Sequence, residues 1–284
     1  MASFDFIDAS ARGYSFVWQE RGYLARVAVP VLFVKIACLL AVFVLGLQEQ
    51  YARQGLVLLP AYIVEAVFVV GLIRYALYRE AIFIWGKMVL VPPSDKEYEP
   101  YQGRLSRKQC VQGGIVMYIL LMVVVLGITA VVQDNANLMA ANVPSETMSS
   151  SVSAMQEEGR GLSSFINAAV IFAMLAAFTW LFRLLWLYIP IVMGCSPRVF
   201  LHRISGMQSS VFMIATSLLC LLPLMVFFMM GAQMFAGAFA EGSAGDILFQ
   251  VILQSVMALI ITCVQVVAMT YGFVEILSNK NSGE

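Results

Sequence analysis

Long apolar runs decide what this chain can fold into. Residues 27–47, 55–78, 114–133, 209–233 and 247–274 are each apolar over about the 20 residues that a helix needs to cross some 30 Å of hydrocarbon. A sixth run, 163–193, is longer and carries Arg183. Hydrocarbon offers no water to backbone N–H and C=O groups, so a segment of this kind must satisfy them internally as a helix. The pattern predicts an all-α membrane protein with about six transmembrane helices. With 61% hydrophobic and 12% charged residues and a mean hydropathy of +0.85, the chain lies far from the soluble norm of about 25% charged.

The charges set an orientation. Thirteen of the 17 lysines and arginines fall on the side of the N-terminus; only Arg53 and Arg160 lie on the other, with Lys35 and Arg183 inside spans. The positive-inside rule then predicts cytoplasmic termini. No cleavable leader is expected before the first span. The chain reads as one polytopic domain: a cytoplasmic amphipathic segment at 1–26, a cytoplasmic loop at 79–113 and an outer loop at 134–162. In the first segment Ile7, Ala11, Tyr14 and Trp18 recur at helical spacing, which predicts a helix lying along the cytoplasmic interface as a lead-in to the first span, with a docking helix for a partner or lipid as the alternative. The five cysteines read as small buried hydrophobes, since none falls on an outer loop.

Polar residues inside apolar runs are the informative exceptions. A charge at the centre of a membrane helix costs roughly 2.5–3.5 kcal/mol on insertion scales. Lys35, in PVLFVKIACLL, stands nine residues beyond Arg26, and Glu65, in AYIVEAVFVV, stands nine before Arg74. At about 1.5 Å per residue both lie about 13.5 Å deep on consecutive antiparallel helices, so they are expected to pair within the membrane. On the last span Gln250, Gln254, Thr262 and Gln265 fall within one helical stripe, expected to face protein or a wet cavity. Pro223 is a candidate hinge in the fifth span. Arg183, bracketed by Trp180, Trp186 and Tyr188, is expected to snorkel to the inner interface.

Catalytic chemistry finds few residues to work with. His202 is the one histidine, which removes two-histidine metal sites, and no nucleophile elbow, phosphate-binding loop or dinucleotide fingerprint occurs. Neither an enzyme, a bound metal, a cofactor nor a nucleic-acid partner is expected.

The segment FRLLWLYIPIVMGCSPRVFLHRISGMQSSVFMIA, through Pro190, Arg198, Arg203, Ser205 and Gly206, resembles the polytopic membrane domain attached to some bacterial glycerophosphodiester phosphodiesterases and their uncharacterised stand-alone inner-membrane relatives. No phosphodiesterase domain accompanies it here, so the resemblance implies an envelope role without that activity. The expectation is a non-catalytic accessory or scaffold protein of a bacterial inner membrane, with lipids and other membrane proteins or itself as partners. A small transporter or channel using Lys35, Glu65 and the glutamine stripe is the alternative.

Overall fold

The computed structural model describes residues 5–48, 50–82, 107–141, 172, 179–180, 182–204, 207–235 and 243–278. Among these the chain is helical throughout, without a strand. The elements are α1 (Phe6–Gln19), α2 (Arg21–Val44), α3 (Tyr51–Tyr78), α4 (Arg107–Ala141), a 3-10 turn (Arg183–Trp186), α5 (Tyr188–Val192), α6 (Pro197–Arg203), α7 (Met207–Phe235) and α8 (Ala244–Ser278).

Among the described residues five helices are long and apolar enough to cross a membrane: α2, Arg53–Tyr78 of α3, Lys108–Ala130 of α4, Gln208–Met234 of α7 and Ala244–Ile276 of α8. The protein is a multi-pass membrane protein. The expected span at 163–193 lies mostly outside the described residues. Its described end, Arg183–Val192, is an apolar piece too short to cross alone. Of the two expected loops, residues 83–106 and 142–162 lie outside the described residues. Helix α4 takes residues 107–113 from the first and 134–141 from the second, because its 35 residues reach about 52 Å, well beyond the hydrocarbon.

Helices α3 and α8 form the axis of the bundle. Helix α3 packs on α2, α4, α5 and α8, while α8 also touches α1 and α7. Half of the α3 span is buried, against 17% for α2, α4 and α7. The core runs along Phe68, Leu72 and Ile73 of α3 and Val267, Met269 and Phe273 of α8. Large apolar side chains such as Phe33, Leu56 and Phe227 point outward, the arrangement expected when the solvent is lipid. Four of the five cysteines are buried and none forms a disulfide.

Helix α1 divides its surface between the bundle and the outside. Its N-terminus is capped by the Asp5 carboxylate, which accepts from the N–H groups of Ile7 and Asp8 at 2.9 and 3.2 Å. The buried residues are Ala9, Ser10, Gly13 and Phe16, whereas Ile7 and Trp18 are 60% and 69% exposed and Ala11 is exposed. Small residues win because they let helix backbones approach closely where no water drives large side chains together. A Cβ on Gly13 would stand 2.9 Å from both the Ala268 Cβ and the Val264 carbonyl oxygen. Phe6 stacks on Phe212 at 5.8 Å, and the Tyr14 hydroxyl donates to the Cys220 carbonyl at 2.8 Å. Helix α1 is therefore a docked part of the bundle against α7 and α8.

Candidate functional site

Two antiparallel spans, α2 and α3, bring their single intramembrane charges together. Lys35 Nζ lies 3.1 Å from Glu65 Oε2, with the side chains only 16% and 6% exposed. The other carboxylate oxygen lies 3.5 Å from the Thr262 hydroxyl on α8. That hydroxyl gives its stronger bond to the Ala258 carbonyl at 2.9 Å, so its contact with Glu65 is the weaker one. Tyr118 of α4, also buried, stands close to Glu65. Tyr118 is held edge-on against Tyr188 of α5, at 5.2 Å between ring centres. A carboxylate taken out of water thus finds donors on α2 and α8 in place of its hydration shell.

Prolines stand near both charges. Pro30 and Pro60 lie inside α2 and α3, each five residues before its charge. Each lacks the N–H that would bond one turn back, leaving the carbonyls of Arg26 and Leu56 without their usual helical donor. This regularity is written in the sequence, but an interior proline ordinarily signals a helix boundary and so hides it.

The glutamine stripe does not act as one surface. Thr262 faces Glu65, and Gln265 donates to the Ser217 carbonyl of α7 at 3.3 Å. Gln250 and Gln254 are exposed, and Gln250 is tied to Asp246 one turn away at 3.1 Å. Across a helix of 35 residues the packed azimuth changes with the neighbours, so a common stripe need not share a common environment. Pro223 sits within α7, which is helical on both sides of it.

Arg183 corrects another expectation. It is buried rather than snorkelling: its guanidinium donates to the Ile204 carbonyl at 2.8 Å and lies 4.1 Å from the centre of the Trp180 ring. A carbonyl at the end of α6 and an aromatic face substitute for interfacial water. His202 is exposed, and among the described residues no group of three potential metal ligands comes together.

A second polar cluster, which sequence reasoning passed over, ties the α1–α2 elbow to the end of α3. Glu20 accepts from the Tyr75 hydroxyl and from the Arg79 guanidinium, both at 2.7 Å. Arg79 ends α3 in the left-handed conformation, with φ 54°, and lies 5.4 Å from the centres of the Phe16 and Tyr75 rings. Nearby, Arg74 meets Glu80 through two nitrogens, with Nε 2.7 Å from Oε2. The signal was the alternation of Arg74, Arg79 and Glu80 at the end of an apolar run, which positive-inside counting treats only as charge.

No family model, no curated protein and no solved structure matches this chain.

Proposed function

We propose that this is a non-catalytic accessory or scaffold protein of a bacterial inner membrane, whose partners are lipids and other membrane proteins or further copies of itself. One observation carries the reading. The intramembrane charges Lys35 and Glu65 are spent on each other and on Thr262 within the bundle, which among the described residues leaves neither of them unpaired to recruit a solute. A transporter using Lys35 and Glu65 needs them along a hydrated path, whereas their side chains are only 16% and 6% exposed. The test is purification of the full chain in mild detergent with identification of co-purifying membrane proteins. A protein that is strictly monomeric and partnerless, and that carries solute flux in proteoliposomes, overturns the reading.

The accompanying topology is six spans with both termini cytoplasmic. It is supported by the concentration of lysines and arginines on one side. A reporter active only outside the cytoplasm should work when inserted near residue 150 and fail near residues 100 and 204 and at both termini. Strong outside activity at residue 204 would overturn the count.

A further inference from the structure

Between α3 and α4 lies a cavity of about 540 Å³. Helix α3 lines it with Val67, Val70, Gly71 and Arg74, and α4 with Lys108, Val111, Gln112 and Ile115. Both sets follow the i, i+3, i+4, i+7 spacing of a single helical face. The helices run in opposite directions, so Arg74 and Lys108 stand together at one end of the groove. Val67 and Ile115 lie seven residues further along their helices, about 10 Å away at the helical rise. The groove is therefore polar at its mouth and apolar along its length.

The charge of the mouth is uneven. Glu80 lines it but is held by Arg74 in a two-nitrogen pair, whereas exposed Lys108 makes no ion pair among the described residues. Among the described residues two cations, Arg74 and Lys108, face one carboxylate, Glu80, so the described lining of the mouth is net positive. Both basic residues stand at ends of membrane-crossing segments, Arg53–Tyr78 and Lys108–Ala130, where lipid headgroups lie.

We propose that this groove binds an anionic glycerophospholipid, its phosphate headed toward Lys108 and an acyl chain laid along Val67, Val70, Val111 and Ile115. A soluble anion accounts for the mouth but leaves the valine-lined length without an occupant. A zwitterionic lipid fills the length but is not selected by the mouth. The inference deepens the scaffold reading by specifying its lipid, and it rests on that reading only in placing the chain in a membrane.

The test is native mass spectrometry of the full chain titrated with phosphatidylglycerol, phosphatidylethanolamine, glycerophosphoglycerol without acyl chains, and inorganic phosphate. Phosphatidylglycerol is expected to bind on the order of tenfold more tightly than phosphatidylethanolamine, the scale set by one basic residue at a lipid surface. Neither soluble anion should displace it. Lys108→Glu should abolish the preference while leaving helicity unchanged, and Lys108→Arg should keep it. An equal affinity for the two lipids, an unaffected Lys108→Glu variant, or displacement by phosphate or the deacylated headgroup overturns the proposal. Co-purification of protein partners is measured on the unsubstituted chain, so failure of the lipid site and failure of the scaffold reading are separately visible.

Discussion

The protein makes the same contact, a cation against a carboxylate near 3 Å, in two very different places. Lys35 and Glu65 meet at 3.1 Å with side chains 16% and 6% exposed. Arg79 and Glu20 meet at 2.7 Å with side chains 33% and 26% exposed. The shorter pair is not for that reason the stronger constraint. Near the surface, water screens the attraction and also stabilises either charge if the other is lost. In the bundle neither charge has an alternative partner as good as the other, so the penalty for separating them is large even where the net gain from having them is small. Loss of a partner, rather than the worth of the pair, is what distinguishes the two regions.

The deep pair therefore offers the largest expected effect. Lys35→Met and Glu65→Leu should each lower the stability of the detergent-solubilised protein by roughly 3–5 kcal/mol, by analogy with other buried pairs that lose one member. The double variant should recover most of that loss, since two apolar side chains of similar volume leave no stranded charge. Thermal unfolding of all three variants checks this. A double variant no more stable than the worse single one would break the comparison, because the two charges would then be acting independently.

How much of this was readable in advance depends on which physical quantity a feature needs. Depth follows from helical rise, so the equal level of Lys35 and Glu65 could be computed from their distances to Arg26 and Arg74. The five described spans follow from apolar length in the same way. Azimuth is another matter. Ile7 and Trp18 dominate any hydrophobic stripe on α1, yet Ala9 and Gly13 face the bundle, because close backbone approach is decided by the partner helix and not by α1 itself. The glutamine stripe divides for the same reason, since Thr262 and Gln265 meet protein while Gln250 and Gln254 are exposed on the same sector of α8. Arg183 was unreadable because its acceptor, the Ile204 carbonyl, is a backbone atom at the end of another helix. The Glu20–Tyr75–Arg79 cluster joins residues more than 50 positions apart, and no local pattern announces it.

The elbow sharpens the comparison at intermediate size. Glu20→Gln keeps an acceptor for the Tyr75 hydroxyl but removes the charge facing Arg79. At this partial exposure the loss should be about 1 kcal/mol, near the top of the range for accessible pairs and well below the deep pair. Raising salt should shrink the difference between wild type and variant, whereas the Lys35 and Glu65 variants should respond little. Unfolding measured at low and high ionic strength separates the cases. An equal salt response in both regions would mean that water reaches Lys35 and Glu65, which would favour the transport alternative.

The smallest effect anchors the exposed end of the scale. Arg12 and Asp8 pair at 2.6 Å on the outer face of α1, with side chains 57% and 44% exposed. They are one helical turn apart, with the acid N-terminal to the base, the orientation that also suits the helix dipole. Such pairs contribute about 0.3–0.5 kcal/mol, so Arg12→Ala should change stability by no more than that and should lose its effect in high salt. Because α1 is held by Gly13, Phe16 and Tyr14 against α7 and α8, this variant should not release the helix. Gly13→Leu should, since its side chain would have to enter the space taken by Ala268 and the Val264 carbonyl. Proteolytic sensitivity of the N-terminal segment reports on release directly. An Arg12→Ala protein cleaved as readily as Gly13→Leu would mean that α1 is held by its surface charges, and that depth of burial is not what ranks the contacts of this protein.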